Sequence, residues 1–281
     1  MVSRIVRLNI NGTALKEIPI ESLKRIPVPV PPKEEQNKIA AVLTACDSAI
    51  DRTRALIDAK RQQKKALMQQ LLTGRKRLPG FMGEWVRPSI GQLFQEVTRP
   101  VDWDDSHEYA LLSVRRRSGG VVLRERLLGA EIATKVMFVA HEGDFLISRM
   151  QVLHGATGLV PADLDGCHIS GSYIALRPID RGLIDPAFFA CLSEMAEFRH
   201  LTYLCSYGVH IEKMTFNPDW FFRSRVTIPP TAAEQRAIAD ILSAADSEIA
   251  LLESKLEALK RQKKGLMQKL LTGQIRVKER P

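Results

Sequence analysis

The chain has 281 residues with 41 Lys or Arg against 32 Asp or Glu, a formal net charge of +9, and a pI near 9.5. Its 45% apolar content suffices to core one large or two modest domains. No run reaches the roughly eighteen apolar residues that cross a bilayer, and MVSRIVRLNINGT at the start lacks the apolar centre of a signal peptide, so no membrane association and a soluble, cytoplasmic protein are expected.

In chain order, residues 1–30 come first. Leu8 to Pro32 reads as a polar turn, a short apolar segment and a strand running into Pro31-Pro32. Residues 31–76 form a long helix: the Pro pair suits an extended lead into a first turn. Cys46, Ile50, Thr53, Ile57, Lys60, Lys64, Leu67 and Leu71 recur at alternating spacings of three and four, the seam of a coiled coil. Thr73-Gly74 supplies a left-handed stop.

Residues 83–228 read as a mixed α/β domain. Trp85 to Phe94 suggests a strand and short helix. YALLSVR from Tyr109, GVVLRER from Gly120, DFLISRM from Asp144 and SYIALRP from Ser172 have strand composition, with Gly119-Gly120, Gly155, Gly158 and Gly166 as turns. Pro186 to Phe198 has apolar residues at helical spacing. Met214 to Pro230 has the same character as Leu8 to Pro32, ending again in Pro-Pro.

Residues 229–275 then repeat the first long helix. Its seam is Ala245, Ile249, Leu252, Leu256, Leu259, Lys263, Leu266 and Leu270, and it ends at Thr272-Gly273. From Glu35 and Glu234 to the two Leu-Leu-Thr-Gly endings, roughly half of about forty positions are identical. The copies lie too far apart for a solenoid, whose units follow one another directly. Two matching arms around a separate domain are expected, packed as an antiparallel coiled coil, the whole being α+β. Polar residues shared by the arms, Gln63 with Gln262, Lys64 with Lys263 and Gln69 with Gln268, suggest a shared partner surface.

The basic balance favours an anionic partner such as nucleic acid. Cys46, Cys167, Cys191 and Cys205 have no Cys-x-x-Cys pairing and the six histidines no zinc spacing, so reduced thiols and no metal are expected. Asn217-Pro218-Asp219-Trp220 resembles the motif with which adenine methyltransferases bind their target amino group, but Asp stands where Pro is needed and no Gly-rich cofactor loop follows a strand. There is no P-loop. Asp102, Asp104, Asp105 and Glu108 cluster with His107, a pattern that is usually a solvated loop.

Taken together, the paired arms, the Trp85 segment, GDFLISRMQVLHGATGLVP from Gly143 and GVHIEKMTFNPDWFFRSRVTIPP from Gly208 resemble the specificity subunit of a type I restriction-modification enzyme. The resemblance implies a non-catalytic chain whose target-recognition domain reads part of a split site in double-stranded DNA. It implies two modification subunits that carry S-adenosylmethionine and methylate adenine, and restriction subunits that use ATP and Mg to cleave DNA. A full member has two recognition domains; here residues 1–30 look like the tail of a first one, and self-association of one-reader chains is a further possibility. Candidate DNA contacts are Arg115, Arg116, Arg117, Arg149, Gln151, His154, Ser170, Ser172, Tyr173, His210 and Lys213, polar residues beside Gly-rich turns or strand ends. Arg149 and Gln151 lie in the Ser-Arg-Met segment of the resemblance. The near-equivalent arm faces around Gln63, Lys64, Gln69, Gln262, Lys263 and Gln268 would meet the two methyltransferases, so reversing the charge of Lys64 and Lys263 is expected to weaken assembly while sparing folding. The alternatives are a coiled-coil scaffold, which leaves the basic domain unexplained, an inactive remnant, and a stand-alone DNA-modifying enzyme, which lacks a cofactor constellation.

Overall fold

A computed structural model describes residues 19–27, 30–210 and 214–277. In order, its elements are α1 (Ile20–Lys24), α2 (Lys33–Leu71), α3 (Ile90–Leu93), β1 (Phe94–Glu96), β2 (Glu108–Val114), β3 (Val121–Leu128), β4 (Met137–Ala140), β5 (Phe145–Ser148), β6 (Thr157–Leu159), β7 (Cys167–Ser170), β8 (Tyr173–Pro178), α4 (Pro186–Ser193), α5 (Ala196–Leu204), β9 (Ser206–Tyr207), β10 (Thr215–Phe216), α6 (Pro218–Arg223) and α7 (Ala232–Leu271). The class is the expected α+β. Two compact units divide it, Met1–Lys60 with Glu248–Pro281, and Arg61–Ser247, the boundary falling inside both long helices.

Both long helices start and stop by the same chemistry. The Gln36 side chain donates to the Pro31 carbonyl at 2.8 Å and that of Gln235 to the Pro229 carbonyl at 3.0 Å, closing the first turn after each Pro pair. At the other end Gly74 and Gly273 both take φ 71°, the left-handed conformation that ends a helix at little cost in glycine. The predicted seams are the half-buried or buried stripe of each helix. Thr53, the polar seam position, donates its hydroxyl to the Ala49 carbonyl at 2.7 Å and so leaves no unmet donor.

In the unit formed by the two chain ends, α2 and α7 run antiparallel. Lys60 pairs with Glu248 at 2.8 Å, Lys263 with Asp47, and Arg276 with Glu35 at 2.6 Å. The other unit contains Lys64 with Asp246 at 2.7 Å and Arg77 with Glu234 at 2.6 Å. In the repeat, Asp47 is equivalent to Asp246, Lys64 to Lys263, Glu35 to Glu234 and Arg77 to Arg276. Each of these two ion pairs therefore occurs twice, once in each unit, so at these four positions the repetition follows from pairing between the two repeats, helix to helix for Lys–Asp and from the segment after each helix for Arg–Glu.

The Arg61–Ser247 unit holds the mixed domain. One four-stranded sheet has the order β1-β8-β5-β6, all antiparallel; the other, β3-β2-β7-β4, has β2 and β7 parallel. Phe94, Phe145, Phe189, Phe198 and Phe221 form a chain of ring contacts through the core. The same core takes in Met68 and Leu71 of α2, Leu72 just after it, and Ile238, Ala239 and Leu242 of α7, so within this unit the helix segments are parts of the domain's interior. Each buried Leu, Ile or Met among these contributes on the order of 1.5–3 kcal/mol, and Ala239 less. The fully buried Asp144 ties the sheets' ends together: Arg99 donates to it at 2.7 Å, Arg177 lies 3.0 Å away, and the His141 N–H donates at 2.9 Å.

Several local expectations are revised. The single helix over Pro186 to Phe198 is two helices, because Met195 is extended at φ −72°, ψ 151°. Asn217 does not start a turn and strand: its side chain accepts from the Trp220 N–H at 3.1 Å and caps α6, with Pro218 in the first turn. That capping role accounts for the Asn-Pro-Asp-Trp sequence without any nucleotide chemistry. Strands β1, β4, β6, β7, β9 and β10, each of two to four residues, add to those expected. Of the segment read as a recognition-domain tail, residues 1–18, 28 and 29 lie outside the described residues; what is described includes the short helix α1 ahead of Pro31, as α6 precedes Pro229.

Candidate nucleic-acid interface

Three loops of the mixed domain meet at one end of its sheets. Because β2 runs parallel to β7, Val114 and Ser170 finish at the same end; because β8 starts opposite the end of β5, Ser148 faces Tyr173. Main-chain bonds then join the loops. Arg117 N–H donates to the His154 carbonyl at 2.7 Å, Ser118 N–H to Gly155 at 2.9 Å, and Arg149 N–H to Ser172 at 2.9 Å. Gly158 permits the contact: a β-carbon there would lie 3.2 Å from the Gly120 Cα. Arg115, Arg116, Arg117, Arg149, Gln151, His154, Ser170, Ser172 and Tyr173 are thereby gathered into one loop cluster.

Charge pairing separates the arginines of this domain. Arg99 and Arg177 are committed to Asp144, Arg124 to Glu125, Arg126 to Glu108 and Arg149 to Glu96 at 3.3 Å. Among the described residues no ion pair engages Arg115, Arg116 or Arg117, and all three are exposed. Gln151 has its amide oxygen buried with no hydrogen-bond partner among the described residues. Ser170 and Tyr173 line a cavity of about 260 Å³ with Arg124, Thr134 and Met137. Such a cluster can present unpaired guanidinium donors and hydroxyl or amide groups to a polyanion or to base edges.

His210 follows β9, is exposed, and lies outside this bonded set. Lys213 lies outside the described residues. The arm residues also sort by environment. Gln63, Gln262 and Gln268 are exposed and Gln69 is half-buried. Lys64 is only 14% exposed and binds both Asp246 and Glu194, while Lys263 binds Asp47. Reversing the two lysine charges would therefore strike the chain's own pairing, which corrects the expectation that folding would be spared. Burial alone would lower the Lys64 pKa, but the hydrogen bond to Asp246 and the charges of Glu194 and Asp246 outweigh it and raise it. Glu194 is also raised, because burial outweighs the attraction of Lys64. The ammonium is shared with Asp246, so its pull on Glu194 is incomplete.

Missed by sequence reasoning were Glu96 and Glu194, lone acids whose partners are distant in sequence. The acidic cluster is a turn: Asp104 accepts from the Ser106 N–H at 2.8 Å, and Asp105 accepts from Trp103 and Lys135 at 2.8 and 2.7 Å. Hydrogen bonds from Ser106 hold the Asp104 carboxyl below its ordinary range, and those from Lys135 and Trp103 do the same for Asp105. No group of three His, Cys, Asp or Glu residues able to hold a metal occurs among the described residues. No described helix is long and apolar enough to cross a membrane.

A family model described as the type I restriction modification DNA specificity domain matches residues 2–59 and 129–261. The type I restriction enzyme MjaVIII specificity subunit of Methanocaldococcus jannaschii is 27% identical over 297 residues, which cover 95% of this chain and 66% of that protein. The putative MjaX specificity subunit of the same organism is 26% identical over 302 residues, covering 98% and 64%. The chain thus spans just under two thirds of the length of these relatives. Among solved structures, the HsdS subunit from Thermoanaerobacter tengcongensis superposes with TM-score 0.53 at 19% identity, over 97% of this chain and 68% of that one. The type I restriction-modification system S subunit from M. genitalium gives 0.56 at 17%, over 95% and 69%. These two similarities concern the fold. The matched family model covers more than half of the chain, and this chain belongs to the type I restriction-modification DNA specificity family.

Proposed function

We propose that this chain is a sequence-specific reader of double-stranded DNA, the non-catalytic specificity subunit that directs adenine methylation and DNA cleavage by partner subunits. The observation that carries this reading is the loop cluster, where three arginines without ion-pair partners among the described residues stand beside Gln151, Ser172 and Tyr173. Phosphate contacts from such arginines fix register, and contacts to base edges supply sequence. S-adenosylmethionine belongs to two modification subunits in this reading, and ATP with Mg to restriction subunits. The exposed Gln63, Gln262 and Gln268 are the arm positions left for contacts with those partners. The basic loop cluster speaks against a pure scaffold, which would have no use for it.

The test is methylation sequencing of DNA from cells that express the chain with a type I modification subunit, beside cells that express the modification subunit alone. A methylated motif found only with the chain is the expected outcome. Stable co-purification without any new motif would favour a scaffold or an inactive remnant.

A further inference from the structure

Strands β2 and β3 are joined by Arg115–Gly120, and at the tip Arg117 and Ser118 take φ 59° and 56°. Gly119 N–H donates to the Arg116 carbonyl at 3.3 Å. Positive φ at both central residues is the signature of a type I′ turn, whose usual occupants are Asn-Gly because a β-carbon is strained there. Arginine suits that position poorly, and the same loop has glycine to offer in Gly119 and Gly120. The turn is held by the Arg117 and Ser118 N–H bonds to His154 and Gly155, which any residue at 117 other than proline could make. The guanidinium takes no part in them. It is exposed and has no ion pair among the described residues. A strained residue whose side chain the fold does not use points to a function for that side chain.

Building on the DNA-reading assignment above, we propose that Arg117 is a specificity-determining residue that reads a guanine edge in the major groove. The fork of a guanidinium at a hairpin tip matches the O6 and N7 acceptors of guanine, a pairing that the single point charge of lysine reproduces poorly.

The experiment compares the wild-type chain with Arg117→Gly, Arg117→Lys and Ser118→Gly. Each is co-expressed with a type I modification subunit for methylation sequencing, and each purified chain is melted thermally. Arg117→Gly relieves the turn, so its melting temperature is expected to stay level or rise, while discrimination at one G·C position of the motif falls by about tenfold or more. Arg117→Lys is expected to relax the same position, and Ser118→Gly, which relieves strain but keeps the guanidinium, to leave the motif intact. An unchanged motif in Arg117→Gly, a fall in its melting temperature, or equal relaxation by Ser118→Gly would make Arg117 a structural residue and overturn the assignment. Uniform weakening at all positions would make it a phosphate contact and overturn it equally. Absence of any motif with the wild-type chain would instead sink the DNA-reading function itself, and this inference with it.

Discussion

Single residues of the arms carry different burdens in their two copies. At Gly74 an added β-carbon would lie 3.3 Å from the Trp85 ring, whereas at Gly273 nothing lies within 4 Å. Both positions require positive φ. Gly273→Ala is therefore expected to cost about 1 kcal/mol, and Gly74→Ala about 2 kcal/mol or more, because the ring must move as well; chemical denaturation of the two variants checks the order. Glu194 makes a prediction about pH. Its folded pKa is raised above the ordinary carboxylate value of 4.5 by burial. Below that value it is neutral in both states; as pH climbs past it, the unfolded chain ionises first and the folded state loses stability. Glu194→Gln should melt like the wild type below pH 4.5 and progressively above the wild type as pH rises from there through the raised pKa. A gap that shrinks with rising pH would contradict the burial. Cys191 beside it is inert for a related reason: burial, with the Glu194 charge, pushes its thiol up to about 12.

At the scale of elements, the repeated Arg–Glu pair is one chemistry in two settings. Glu234 is 1% exposed and held in a fork at 2.6 and 2.7 Å by Arg77, itself 28% exposed, whereas Glu35 is 11% exposed and its partner Arg276 67%. Arg77→Ala strands a buried carboxylate and is expected to cost about 3–5 kcal/mol, and Arg276→Ala clearly less, since water can replace it. Equal losses in the two melting curves would refute the distinction. The Arg276 hydrogen bond holds the Glu35 carboxyl below its usual range, so that contribution is present at neutral pH and lost as pH falls through the lowered pKa. The long helices were legible in sequence because Pro-Pro, a sustained three-four spacing and Thr-Gly all agree. Strands such as Thr157–Leu159 were not, since three residues around a glycine have no period to read. The break at Met195 was hidden because the apolar pattern continues through it, and Glu194 just before it meets Lys64, 130 residues away in sequence, a contact no local pattern announces. In the candidate loop cluster, the position of residues at strand ends next to glycines was legible, because turns put polar groups at the edge of a sheet. Which of them share an edge depends on the parallel β2–β7 pairing, which no local signal announces.

For the molecule as a whole, the net charge of +9 is unevenly available. Lys60, Lys64, Lys263, Arg77 and Arg276 are spent on helix pairing, and the Arg115–Arg117 run is not. Replacing Arg115 and Arg116 by Ala, with Arg117 kept, should weaken binding to duplex DNA and flatten its dependence on salt. In plots of log affinity against log salt concentration, the slope should shrink by up to about 0.9 for each phosphate that an arginine had neutralised. An unaltered slope would mean that these arginines do not touch phosphate. The bonds that lock the three loops together run between main-chain atoms: Arg117 to His154, Ser118 to Gly155, Arg149 to Ser172. Main-chain bonds are indifferent to side-chain identity, so the loop surface can be rewritten residue by residue while its frame stays assembled. A protein built this way can acquire a new vocabulary by point mutation, without first having to reinvent its grammar.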